Sequence, residues 1–318
     1  MANYSFLKEA KVYVVSGSTK VQIDISSISF SQTFTEQSRS VKTLHTQSDW
    51  FEASTINSAN PANFEVQTNL LIEDDTRITF DRMLAGGGFD LYITTATEVF
   101  KLRQCVITNG QINIERLRPL SLSISGEASE LTTGNSSPLA AALPTDLEVW
   151  SDAKVATEGH SNPLLRTSAS PRTYNLCPEL TILLDSVDIS SELRSLSMEL
   201  QHEVNWTNYK TLNNAIAGTT QYPSGFRYGN KILAGNITRY LTDTNDSTAQ
   251  TFNVDKPLRI KAGTTIGGTF YGIDLNTTLC SFTNRVTSVD VFTQNMDWRL
   301  TQNNGGNIAA LLTYTTQS

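Results

Sequence analysis

The stretch Cys105-Val-Ile-Thr-Asn109 returns 175 residues later as Cys280-Ser-Phe-Thr-Asn284. Internal repeats set the architecture and are sought before motifs. Two further pairs support the match. Ser40-Val-Lys-Thr-Leu44 and Asn208-Tyr-Lys-Thr-Leu212 lie 168 residues apart, and Thr79-Phe80 and Thr251-Phe252 lie 172 apart. Offsets that rise steadily along the chain are the trace of a duplication with small insertions in the second copy.

Alternation extends the match outward. Leu120, Leu122 and Ile124 correspond to Met296, Trp298 and Leu300, and Ile112 and Ile114 to Val289 and Val291. Ile28 and Phe30 correspond to Leu196 and Met198, and Val12-Tyr-Val-Val15 to Leu180-Thr-Ile-Leu-Leu184. A period of two marks strands with one buried face. The expected fold class is therefore mainly β: two tandem barrel or sandwich domains, each with a flanking helix. The first spans 1–131, a loop-rich connector 132–171, and the second, with a C-terminal arm, 172–318. The connector carries Gly134, Pro138, Pro144, Pro163 and Pro171, with a short helix expected at 147–156.

Local signals fill in the first domain. Asn109-Gly110 between Val99–Ile107 and Gln111–Leu117 predicts a hairpin, because Asn-Gly accepts the positive φ of a type I′ turn. A helix is expected over Asp75–Leu84, capped by Asp74 or Asp75 and ended by Gly86-Gly87-Gly88. A weaker helical pattern occupies Thr242–Gln250. Gln47–Asn63 is expected as a long polar loop.

Composition narrows the function. The chain has 318 residues, of which 17% are charged, and a net charge of −7. Low charge with abundant Ser, Thr, Asn and Gln suits strand faces covered by neighbours, since charges are costly to desolvate. The absence of basic runs disfavours tight nucleic-acid binding. The three cysteines, Cys105, Cys177 and Cys280, fit no metal spacing and are expected as buried or free thiols. Neither a signal peptide nor a membrane span is evident.

Chemistry is sought without success. His45, His160 and His202 form no H-x-x-x-H pattern, and no nucleophile elbow or phosphate loop is present. Glu73, Asp74 and Asp75 are read as a helix N-terminus rather than a metal site. Asp243 and Asp246 carry the same ambiguity. The glycines of 86–88 and 263–268 are read as turns or hinges. Trp298 is expected in the core and Trp206 exposed, at a subunit contact. No catalytic, cofactor or metal residue is assigned, no cofactor is expected, and the protein is expected not to be an enzyme.

The layout of the first copy resembles the bacteriophage tail tube proteins. The features are the early strands around Val12–Phe34, the loop Gln47–Asn63, the strand Phe64–Glu73, the helix Asp75–Leu84 and the closing run Phe89–Glu127 with its final Leu120-Ser-Leu-Ser-Ile124. The second copy follows more loosely. The resemblance implies domains that join edge to edge into rings of six, stacked around a lumen through which DNA passes at ejection. A chain with two such domains resembles the duplicated kind, in which three chains make a pseudo-hexameric ring. Implied partners are the protein itself, other tail proteins such as sheath, tape measure or baseplate, and genomic DNA in transit without specific binding, with no membrane. The implied location is the virion tail, assembled in the host cytoplasm. The C-terminal arm Thr301–Ser318 has no Asp, Glu, Lys or Arg and is expected to reach the adjacent ring. Alternatives are a tube-fold ring at a tail end (tube initiator, baseplate hub or terminator), a β-sandwich carbohydrate- or receptor-binding protein using Trp50, Trp206 and Tyr222, and a hydrolase with a dispersed site.

Overall fold

A computed structural model describes residues 10–16, 19–39, 53–70, 72, 77–95, 98–115, 118–135, 175–207, 222–242, 255–288, 290–301 and 308–316. The expected helix at 147–156, most of 242–250, and residues His45, Trp50, Glu73, Asp74, Asp75, His160, Asp243 and Asp246 lie outside them.

The protein is mainly β. The first half contributes β1 (Lys11–Ser16), β2 (Thr19–Ile23), β3 (Ser27–Ser31), β4 (Phe34–Arg39), β5 (Ala53–Ala59), β6 (Ala62–Asn69), α1 (Arg77–Ala85), β7 (Phe89–Thr94), β8 (Glu98–Ile114), β9 (Ser121–Ala128) and β10 (Glu130–Asn135). The second contributes β11 (Glu179–Leu184), β12 (Val187–Asp188), β13 (Leu193–Thr207), β14 (Gly225–Tyr240), β15 (Lys256–Ile266), β16 (Thr269–Ser288), β17 (Phe292–Leu300), α2 (Ile308–Leu311) and β18 (Leu312–Thr315).

Both halves pair their strands in one order. The first runs β2-β1-β7-β8-β9-β6-β3, with β10 against the early part of β8. The second runs β12-β11-β15-β16-β17-β14-β13, with β18 against the early part of β16. The cysteine strands sit alike: Cys105 is opposite Phe89 of β7, and Cys280 is opposite Lys256 of β15. The register also corrects two sequence alignments. Phe64 faces Gly126 across β6·β9, and Gly235 faces Trp298 across β14·β17. Trp298 therefore corresponds to Gly126 rather than Leu122; a four-residue slip preserves the strand face, so alternation alone does not detect it. Ile112, opposite Leu122, then corresponds to Val286, opposite Gln294. Val289 lies outside the described residues and Val291 is exposed.

At each place in the order where an aromatic ring faces a glycine, the ring takes up the missing side chain's space. A Cβ on Gly126 would stand 2.6 Å from the Phe64 ring, and one on Gly235 2.7 Å from the Trp298 ring. The two halves place the ring on opposite strands of the same pair.

Several expectations are overturned. Asn109-Gly110 forms no hairpin: β8 runs straight through it, paired on both sides by β9 and β13. Gly110 serves packing instead, because Met83 of α1 lies where its side chain would be, with Sδ 2.1 Å from an ideal Cβ. The Gln47–Asn63 loop is interrupted by β5 and the start of β6, which closes the β4–β5 hairpin. The connector begins later than residue 132, since β10 extends to Asn135. Among the described residues the sheet within one chain is open rather than a closed barrel, with β2, β3 and β12 each paired on one side.

The described part of the C-terminal arm, residues 308–316, folds back on its own chain. β18 pairs with β16, and Tyr314 packs 5.4 Å from Phe80 of α1, centroid to centroid. An arm without charges is suited to such burial. α1 matches expectation closely, ending at Gly86 and Gly87 with φ of 73° and 101°. Gly267-Gly268, both with positive φ, turn β15 into β16.

Candidate functional site

Among the described residues no group of His, Cys, Asp and Glu is placed to hold a metal ion, and the chemistry-bearing side chains are dispersed in packing roles. All three cysteines are buried and free. Burial pushes the Cys177 and Cys280 thiols up to about 11, and raises Cys105 well above its usual value. His202 is buried with neither ring nitrogen hydrogen-bonded, edge-on to Tyr228 at 5.5 Å. Burial, aided by the positive charge of Lys231, holds its pKa down at about 4.

The organised feature is a seam. β13 of the second half pairs antiparallel with the later part of β8 of the first, Leu196 opposite Ile114, Met198 opposite Ile112 and Leu200 opposite Gly110. Eight strands therefore form one continuous sheet: β3-β6-β9-β8-β13-β14-β17-β16. Rows of directly opposed residues cross the seam unbroken. One row reads Leu122, Ile112, Met198, Gly235, Trp298, Phe282 and faces the core. The next reads Ser121, Asn113, Ser197, Asn236, Asp297, Thr283 on the opposite face. The polar row is knit across strands, with Asn236 Nδ2 donating to Asp297 Oδ1 at 2.7 Å.

A second contact locks the seam. The outer halves of β13 and β14 form an arm lying over the first half. Trp206 Nε1 donates to Glu127 at 2.6 Å, Gly87 N donates to the Tyr228 hydroxyl at 2.9 Å, and Lys231 Nζ donates to the Leu84 carbonyl at 3.5 Å. Asn109 Nδ2 donates to Glu199 beneath it at 2.9 Å. Trp206 is thus half-buried at a contact within the chain, not exposed. Trp298 is in the core, as its alternation predicts.

The ends of the eight-strand sheet differ from its middle. Among the described residues β3 pairs with β6 alone, and Asn284–Ser288 of β16 pairs with β17 alone. These edges carry partly uncovered apolar groups: Ile28 and Phe30 are half-buried, Val286 is 47% and Phe292 60% exposed, and Phe34, on the adjoining β4–β5 hairpin, is 46% exposed. Sequence reasoning did not find these edges, because strand partners are not written in alternation.

Residues 2–84 match the model of the Bacteriophage Baseplate Tube Protein Family. Among solved structures, a chain of the "Cryo-EM structure of the anti-feeding prophage (AFP) baseplate, 6-fold symmetrised" aligns over 42% of this chain and 97% of its own, at 11% identity and a TM-score of 0.34. No curated protein matches. The family match supports a structural component of a phage tail or baseplate.

Proposed function

We propose that this chain is a non-enzymatic structural subunit of a phage tail tube, with two copies of one tube domain, three chains closing a pseudo-hexameric ring, and rings stacking around a lumen. The observation that carries the reading is the eight-strand sheet with one packed face and one face of hydroxyls and amides. Three such sheets joined at their edges would make a barrel of about 24 strands, more than the ~16–18 that already leave an aqueous channel. Closure also removes the free edges that are the usual liability of β-sheets.

The polar face would line that lumen. Its serines, asparagines and glutamines are interrupted by Glu65, Glu127, Glu199 and Asp297 and by the two cations Arg285 and Arg299, so these charges sum to a negative surface that offers DNA phosphates little to adhere to. Transit of DNA without specific binding follows from that surface.

A second reading, a tube-fold ring at the baseplate end of the tail, is favoured by the family description matched over residues 2–84. Negative-stain electron microscopy of the purified protein over a concentration series tests both. Tubes of indefinite length support the repeating tube, and single rings support the tail-end component. Monomers throughout would sink both. Copy number per virion then separates the two independently.

A further inference from the structure

We infer that the seam inside the chain is the template for the junction between chains: β3 of one copy pairs antiparallel with Asn284–Ser288 of a second copy, Phe30 opposite Val286. The inference deepens the ring reading and rests on it only for closure; the pairing itself stands on the geometry of the two halves.

Leu196 and Met198 of β13 face Ile237 and Gly235 of β14, as Ile28 and Phe30 of β3 face Val66 and Phe64 of β6. β3 is therefore the counterpart of β13. Ile112 faces Leu122 of β9 as Val286 faces Gln294 of β17, so the end of β16 is the counterpart of the end of β8. Inside the chain the two counterparts meet: Met198 is opposite Ile112, and both are 1% exposed. At the chain's two ends the same positions are less covered: Ile28 and Phe30 are only half-buried, with the Phe30 ring 5.0 Å from that of Phe100. Val286 points to the core face yet is 47% exposed, because the strand that would cover it is β3, and β3 lies at the far end of its own sheet.

Carrying the internal register across gives Ile28 opposite Ser288, Phe30 opposite Val286, and Gln32 opposite Asn284. Phe34 then takes the place of His202, on the arm formed by the β4–β5 hairpin, and the same docking accounts for its exposure. β3 reads Ser-Ile-Ser-Phe-Ser, without the Lys, Pro or inward charge that usually blunts an edge strand. The contact joins unlike surfaces and so propagates head to tail until it closes.

Cysteine cross-linking tests the pairing. Phe30→Cys and Val286→Cys proteins, mixed and oxidised, are expected to give a covalent dimer at least about tenfold faster than Phe30→Cys mixed with Arg285→Cys, since a one-residue step turns the thiol to the opposite face. The native thiols are buried, and the unsubstituted protein sets the background. Val286→Asp is expected to keep the thermal unfolding of the single chain while abolishing self-association in sedimentation. Equal cross-linking from both mixtures, or unchanged self-association of Val286→Asp, overturns the pairing. Rings in the microscope without the register-specific cross-link would sink the pairing and leave the tube reading. The cross-link without rings would uphold the pairing and sink the tube reading.

Discussion

Gly110 shows how a residue's meaning depends on what reaches it. Next to Asn109 it reads as a turn; in the fold it is the flat spot on β8 that receives Met83. Gly110→Ala is expected to destabilise by ~1–3 kcal/mol through overpacking, measured by urea unfolding. Because Met83 is flexible and is the neighbour in the way, Gly110→Ala and Met83→Ala should be less than additive in the double variant. His202 carries a second prediction. Its folded pKa of about 4 lies below the ordinary 6.5, so between these values the unfolded chain binds the extra proton. Stability is then full above about pH 6.5 and falls as pH drops toward 4, by at most ~3 kcal/mol. His202→Phe should flatten that part of the stability profile in unfolding titrations from pH 7 to 4.5; an unchanged slope would assign the acid sensitivity to other groups.

At the scale of elements, the C-terminal segment and the β13–β14 arm both bind the halves together. Tyr314 comes from the end of the chain and Phe80 from α1 near its first quarter, and each covers the other. Truncation after Leu300 is therefore expected to cost several kcal/mol and lower the melting temperature in circular dichroism, not merely weaken stacking. It uncovers Phe80 and strips β18 from Ile273 and Leu275 of β16. Strands and helix were legible because alternation and end signals are local: Leu122 and Ile124 fall in β9 with Leu120 just before it, and the glycines after Ala85 end α1. The destination of the uncharged arm was not legible. A segment without charges is suited to burial, but nothing in it says against which surface.

At the scale of the whole molecule, one substitution should have opposite consequences at counterpart sites. Ile112→Asp places a carboxylate in the seam, where Ile112 is 1% exposed, and is expected to cost more than ~3 kcal/mol or prevent folding. Val286→Asp occupies the corresponding position at the open edge and should leave the single chain's unfolding curve unchanged. Thermal denaturation of the two variants side by side measures the contrast; equal losses would mean that Val286 is structurally committed within its own chain.

The sequence by itself determined the mainly β class, the rising offsets between Cys105 and Cys280 and the pairs before them, and the helix over the late seventies. These rest on side-chain period, glycine conformation and recurrence, all of which act over a few residues. Only the tertiary structure decided that β8 continues through Asn109-Gly110, that Trp298 stands where Gly126 does, that β13 closes on β8, and that Val286 is left open. Those facts depend on backbone pairing between distant strands. A backbone hydrogen bond is chemically the same whichever residue supplies it, so the choice of partner strand leaves little mark on the letters.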